Sequence, residues 1–312
     1  MYVKLTSYTS QRKLEYMRVD NLIIDGTNLE YRIFYIARES KTINDIGEQT
    51  SCIFKFLQTF SNLIEKFNPT EIYSAWDKKL THPSTNFRKD ILIDQYKAGR
   101  PKPADIQEMF DQEIKLIEIL ESLGVKNIYP NVLEADDVCA WLATTLPGNN
   151  VVVSVDQDLL QLINPTTSVY NMKEIITHEN FEQKKEMKIE HYKRFKAIKG
   201  DPADNIPGLV GYGEVKSRKL AANWDQCKMS DEHIQIVERN LKLIDLHYGY
   251  NYQPGEKQKY EEQLNYTKNI KGDINKFMSL CKKYNFDAHI NDVIKWKRIL
   301  NRNNIIDIIN RL

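Results

Sequence analysis

Three short stretches of the chain are continuously apolar: NLII at 21–24, EIYSAW at 71–76 and VVVSV at 151–155. Unbroken rather than alternating hydrophobicity predicts strands buried on both faces of a sheet. Between them, apolar residues recur every three or four positions. Over 51–67 this puts Ile53, Phe56, Leu57, Phe60 and Ile64 on one stripe, and 105–124 keeps the same period until Gly124, so both stretches predict amphipathic helices. The β-α-β rhythm predicts an α/β fold, a mostly parallel twisted sheet flanked by helices. Past about residue 180 the pattern is helical without clear strands. A basic stretch at 181–200 is followed by the Pro/Gly-rich GDPADNIPGLVGYG (200–213), a second basic helix from Glu214, and a charged helical tail over 232–312 with a loop at 250–260.

Each apolar run leads into an aspartate: Asp25, Asp77 and Asp156. In parallel sheets ligands bind beyond the carboxyl ends of the strands, where these three would stand. Aspartate also favours strand exits for turn geometry alone, which accounts for one such residue more easily than for three. Asp158 follows Asp156 at i+2, and in an extended chain that spacing sends both side chains to one side. In VLEADDVCAWL (132–142), Ala135, Val138, Cys139 and Leu142 form an apolar stripe while Glu134, Asp136 and Asp137 crowd the helix start. Asp201 and Asp204 open the Pro/Gly-rich stretch.

Taken singly, the acids at 134–137 suit a helix N-terminus. Taken as nine converging carboxylates they would repel by about 4 kcal/mol per pair at ~4 Å and an effective dielectric of 20. A cation among them is therefore expected. With no histidine or cysteine at hand, oxygen ligands select Mg²⁺ or Mn²⁺, and two such ions about 4 Å apart suit phosphodiester cleavage, one activating water and the other stabilising the leaving oxygen. Calcium fits less well, since no D-x-D-x-D-G loop with a glutamate at position twelve is present. Repulsion further predicts that, without metal, neutralising Glu134 or Asp137 leaves stability unchanged or raises it.

Lys plus Arg (44) and Asp plus Glu (43) nearly cancel, so only the distribution of charge is informative. From Lys78 to Lys102 seven basic residues (Lys78, Lys79, Arg88, Lys89, Lys97, Arg100, Lys102) face two acids, Asp90 and Asp94; from 181 to 200 seven face three. A charge run is usually a solvated face. The first run, however, follows directly on Asp77 and includes Phe87 and Tyr96, which could stack on bases of a single strand. The second brackets GLVGYG, which lacks the strand and spacing of a dinucleotide fingerprint. Its glycines, Gly211 and Gly213 among them, instead suit backbone amides approaching a phosphate, with Lys196, Lys216, Arg218 and Lys219 as charge partners. Four widely spaced cysteines, six scattered histidines, no long apolar run and no apolar N-terminal stretch fit a reduced, cytoplasmic setting without structural zinc, signal or membrane span.

The ordered motifs NLIIDGTN, AWDKK, FRKDILIDQYKAGR, LEADD, SVDQDLLQL and KAIKGDPADNIPGLVGYG resemble the successive signatures of the 5′-nuclease (flap endonuclease) family. They are most similar to bacteriophage 5′-exonucleases and to the 5′-nuclease domain of bacterial DNA polymerase I. The resemblance spans roughly 20–225. It implies a PIN-like core over 19–180 carrying a helical basic arch at 78–110, a helix-three-turn-helix module at 181–231, a C-terminal helical region at 232–312 and an N-terminal extension at 1–18. It also implies one metal group of Asp25, Asp77, Glu134 and Asp136 and a second of Asp137, Asp156, Asp158, Asp201 and Asp204. Lys97 and Arg100 match arch residues that hold the scissile phosphate, Arg88 an outer basic position near Tyr96, and Lys196 a duplex-binding lysine. In the family the hairpin also holds K⁺ through backbone carbonyls, here around Val210 and Tyr212. One departure stands out: GYGEVK puts Val215 where relatives carry lysine, and the one-residue displacement of Lys216 turns its side chain by about 100°.

The sequence thus predicts a metal-dependent 5′-to-3′ exonuclease and flap endonuclease. Its partners would be DNA with a free 5′ end, a 5′ flap or a forked duplex, extending to RNA in RNA-DNA hybrids during primer removal. It would work as a monomer, with a polymerase or single-strand-binding protein alongside. Two rivals differ in what they require. A non-catalytic junction-binding protein on the same fold should lack carboxylates, and a ribonuclease of structured RNA should lack the basic arch and hairpin.

Overall fold

Strand β1 (Asn21–Asp25) runs directly into helix α1 (Gly26–Ala37), and this junction lies at the centre of the sheet. A Cβ on Gly26 would come within 2.7 Å of Ser74 and Trp76, so only glycine lets the helix start this close to the next strand. The structure is a computed structural model, and it describes residues 19–37, 39–40, 43–44, 47–77, 86–92, 95–99 and 105–301. Helix α2 (Ser51–Phe67), β2 (Glu71–Ala75), the short α3 (Phe87–Ile91), α4 (Ile106–Ser122), β3 (Lys126–Ile128), α5 (Ala135–Thr145), β4 (Asn150–Val153), β5 (Thr167–Tyr170) and β6 (Ile175–Ile176) follow. The sheet order is β3-β2-β1-β4-β5-β6, parallel except for β6. The chain builds outward from β1 to β3, then returns to β4 on the other side of β1. That reversal leaves a crevice between β1 and β4 at their carboxyl ends.

Both faces of the sheet are covered, which is why the strands read as unbroken apolar runs. Ile23, Ala75, Val152 and Val169 pack with α5 on one face, while Leu22, Ile24, Ile72, Val151 and Val153 pack with α2 and α4 on the other. The predicted stripe of α2 is buried in full. Helix α4 stops where Gly124 adopts φ +81, a left-handed conformation that favours glycine.

Beyond the sheet come α6 (Phe181–Lys185), α7 (Tyr192–Lys199) and α8 (Glu214–Ala222). Six further helices follow: α9 (Asp231–Ile244), α10 (Leu246–Tyr252), α11 (Glu256–Thr267), α12 (Ile274–Lys283), α13 (Asp287–Asn291) and α14 (Val293–Leu300). The last six divide between the faces: residues of α9–α11 join the cluster around α5, and residues of α12–α14 join the one around α2 and α4.

Three expectations need correction. The sequence marked three strands where the sheet has six, because β3 (KNI) and β6 (II) are three and two residues long and β5 (TSVY) is half polar, so none shows an apolar run. The Pro/Gly-rich stretch contains a two-stranded ladder, β7 (Gly200–Asp201) with β8 (Ile206–Pro207). Finally, β4 ends at Val153, and Asp156 and Asp158 belong to a turn: the Asp158 amide donates to Asp156 Oδ1 at 2.8 Å and a 3-10 turn begins at Asp158. Turn closure, rather than strand alternation, brings these two together.

Candidate metal centre

A cleft of about 740 Å³ opens at the carboxyl ends of β1, β2 and β4. Seven carboxylates line it: Asp25, Asp77, Glu134, Asp136, Asp156, Asp158 and Asp204. Each is placed by local backbone. Asp25 ends β1, its Oδ1 accepting the Asn28 amide at 3.1 Å and its Oδ2 the Ser154 hydroxyl at 2.8 Å. Asp77 leaves β2, with its own amide donating to Thr27 Oγ1 at 2.7 Å and its Oδ1 accepting the Ala135 amide at 2.7 Å, so it ties β2 to the start of α5. Glu134 is the N-cap of α5 in a reciprocal capping box with Asp137.

Crowding shows in the protonation equilibria. Burial, with neighbouring charge, pushes Asp25 up to about 7. Asp77, although exposed to solvent, is raised to about 6 by partial loss of hydration at the strand end and then by the charge of Glu134. Asp158 is raised to about 6, and Asp136, half-buried beside Asp137 and Glu134, lies well above the carboxylate range. Glu134 goes the other way. Burial alone would raise it, but Lys97 and Arg88 hold it down to about 2.

Lys97 is the one cation lining the cleft among the described residues. Its Nζ lies 2.5 Å from Glu134 Oε1 and 3.9 Å from Asp204. The residue has φ +57, held by its amide donating to the Asp204 carbonyl at 3.1 Å, while Asn205 Nδ2 donates to the Gln95 carbonyl at 2.9 Å. Thus the QYKAG turn docks on the Pro/Gly-rich loop. Arg100 lies outside the described residues, as do Lys78, Lys79, Asp94 and Lys102.

Two of the nine expected carboxylates face elsewhere. Oxygens of Glu134, Asp136 and Asp137 lie within 4.8 Å of one another, but both oxygens of Asp137 are taken by Arg88, at 2.7 Å each. Arg88 is 1% exposed and Asp137 fully buried, and the Arg88 Nε donates to the Leu243 carbonyl at 3.0 Å. Asp137, expected in the second metal group, thus has both oxygens engaged by Arg88, and Arg88, expected at an outer basic position, is buried. Asp201 accepts the Ala203 amide and pairs with Lys196 at 3.0 Å. Lys196 also reaches Asp158 at 2.8 Å, so this lysine points at the acidic cluster rather than outward.

The aromatics differ as well. Phe87 and Tyr96 are buried, and the Tyr96 hydroxyl donates between Glu134 (2.9 Å) and Asp204 (3.3 Å). The cleft wall carries Tyr31, Tyr35 and Phe110 instead. Tyr31 and Tyr35 are four apart in α1, an i, i+4 pair legible in the sequence but not singled out from it. Lys216, Gly211 and Gly213 are exposed, and Gly211 has φ +81 at the hairpin tip beside Val210, which is 95% exposed.

The family profile described as "5'-3' exonuclease, N-terminal resolvase-like domain" matches residues 20–188. A 5'-3' exonuclease of Mycoplasmopsis pulmonis is 32% identical over 208 residues, 65% of this chain and 66% of that protein. A thermostable DNA polymerase I of Thermus caldophilus is 32% identical over 209 residues, 65% of this chain. The chain spans about two-thirds of the first relative's length and 24% of the polymerase's. The fold matches the bacteriophage T5 D15 flap endonuclease, solved in complex with DNA and metal ions, with TM-score 0.61 and 20% identity over 80% of this chain and 99% of that one. With the motif order, the sheet topology and the acidic cleft agreeing along these residues, this chain belongs to the 5′-3′ exonuclease family.

Proposed function

We propose that the protein hydrolyses phosphodiester bonds in DNA from a free 5′ end and at 5′ flaps, using divalent cations held in the acidic cleft. The single observation that carries this reading is the charge imbalance there: seven carboxylates from five separated chain segments line the cleft, and among the described residues only Lys97 lines it with them, while Lys196 reaches Asp158 at 2.8 Å and Arg88 stands 3.8 Å from Glu134. Loss of hydration first, and neighbouring carboxylates second, raise the carboxyl pKa in four of the seven, so a cation bound among them would favour their ionised forms. An all-oxygen donor set suits Mg²⁺ or Mn²⁺. Asp25, Asp77, Glu134 and Asp136 would hold one site and Asp156, Asp158 and Asp204, backed by Asp201, a second. Bound there, the cations supply water activation and neutralisation of phosphate charge.

The remaining work falls to the chain's own groups. Lys97 exchanges Glu134 for a phosphate oxygen when the strand enters, with Arg100 as its companion. Tyr31, Tyr35 and Phe110 present ring faces on which a terminal base stacks without regard to sequence. The exposed hairpin at 208–213 and Lys216 grip duplex backbone in the module spanning 181–231, with K⁺ at the hairpin carbonyls. This reading extends to RNA annealed to DNA, to primer removal beside a polymerase or single-strand-binding protein, and to a cytoplasmic setting, the host's if the protein is phage-encoded. No described helix is long and apolar enough to cross a membrane.

The test is to incubate the protein with Mg²⁺ and a 5′-flap DNA. Cleavage near the flap base is expected, with Asp156→Asn slower by about 10³-fold or more. No cleavage by wild type, or an Asp156→Asn variant as fast as wild type, overturns the reading.

A further inference from the structure

Residues 129–134 join β3 to α5 without regular structure, so their backbone groups need partners from elsewhere. Those partners come from α11, more than 120 positions later in the chain. Gln263 Nε2 donates to the Tyr129 carbonyl at 2.7 Å while its Oε1 accepts the Tyr129 amide at 3.0 Å, mimicking the two bonds of a neighbouring strand. One oxygen of Glu256 accepts the Val132 amide at 2.7 Å and the other accepts the Asn131 amide at 3.0 Å. Glu256 is 0% exposed. The helix is seated by Tyr260, whose ring packs at 5.3 Å on Trp141 of α5.

These contacts converge just before Glu134, whose φ −121, ψ 163 sets the entry angle into α5. That angle aims Glu134 and Asp136 at the cleft. Downstream, the Ala135 amide at the start of α5 donates to the Asp77 carboxylate at 2.7 Å and fixes the same junction. A buried carboxylate that ties two consecutive amides is a stiff anchor, because a lost acceptor would leave both donors unsatisfied.

We infer that Glu256, with Gln263, is a positioning residue for the metal centre: α11 braces the 129–132 turn so that Glu134 and Asp136 are preset to receive a cation. Glu256 lies outside the segment matched by the family profile, which ends at residue 188. The inference rests on the proposed cation site at Glu134 and Asp136.

Glu256→Gln keeps the shape but turns an amide NH₂ toward a backbone N–H. Two measurements test the brace. In EDTA, hydrogen exchange at the Asn131 and Val132 amides should accelerate at least tenfold. In calorimetric titration with Mn²⁺, well below the melting temperature so that unfolding does not enter, Kd should rise about tenfold or more, the usual effect of losing an outer-sphere partner. Glu261→Gln, on the exposed side of the same helix, should change neither.

Faster exchange with Kd within twofold of wild type would make the contact merely structural and overturn the inference, as would unchanged exchange. Should Glu256→Gln not fold, Gln263→Ala tests the same turn with the Tyr129 amide as reporter. A wild-type protein that binds no Mn²⁺ would remove the functional reading and the inference with it. That outcome differs from failure of the brace alone, in which wild type and variant bind equally.

Discussion

Arg88–Asp137 and Lys97–Glu134 are two cation–carboxylate pairs built from the same two segments, 86–99 and 134–137. They differ in solvent access. The first is sealed, 1% and 0% exposed, bidentate, and closed over by α10, where Gly249 lies so near that a Cβ would fall 2.4 Å from Asp137 Oδ1. The second is 23% and 19% exposed and opens onto the cleft. A buried pair that has excluded water is fixed in place. A half-open pair can trade its carboxylate for an incoming phosphate. The same charges therefore hold the fold in one place and offer chemistry in the other.

The comparison breaks most visibly when the sealed pair is halved. Asp137→Asn or Arg88→Met should lower stability by about 3–5 kcal/mol, since either leaves a charge buried without its partner. The double variant Arg88→Met/Asp137→Leu should lose much less than the sum. Denaturant unfolding in EDTA measures both, and a neutral Asp137→Asn would mean that repulsion, not pairing, dominates there.

At the open pair the outcome should reverse. Lys97→Met should slow flap cleavage by about 10²–10³-fold, while stability falls by less than at the sealed pair, about 1–3 kcal/mol, because Arg88 and Tyr96 still face Glu134. A large loss of stability with normal cleavage would show that Lys97 resembles Arg88 after all.

Gly249→Ala sharpens the contrast at smaller amplitude. The added methyl should push against the sealed pair and cost about 1–3 kcal/mol, read as a lower unfolding midpoint with cleft chemistry intact at low temperature.

The smallest effect expected is one of pH. Asp25, Asp77 and Asp158 have folded-state pKa values raised to about 7, 6 and 6 from 3.8. Their contribution to stability is fully present below pH 3.8 and is lost as pH rises through 6 to 7. Glu134, depressed to about 2 from 4.5, contributes above 4.5 and is lost only as pH falls through 2, outside that window. Thermal melts in EDTA should therefore fall from pH 4.5 to 7.5. Added Mg²⁺ should flatten or reverse the slope, because a cation favours the ionised carboxylates. A rising melt in EDTA would contradict the crowding argument.

Much of the cleft was legible from local pattern. Asp25, Asp77 and Asp156 could be placed because an apolar run ends immediately before each, and strand ends in a parallel sheet share one edge. Glu134 and Asp136 could be placed because acids at a helix start precede a buried stripe. These are short-range facts, settled by the period of the backbone. Asp137 was not legible. It lies one position, about 100° of helix, from Asp136, and what draws it inward is Arg88, 49 positions earlier. The pairing of Lys196 with Asp158, 38 positions earlier, was not legible for the same reason.

The sequence by itself thus determined the order of the elements, the β-α-β sheet and the set of acids at its edge, because hydrophobic period and strand ends are properties of neighbouring residues. Which of those acids face the cleft and which are neutralised inside, and that α11 secures the turn before Glu134, was decided only by the tertiary structure. A charge is buried or left open according to what packs on it, and those partners come from distant parts of the chain.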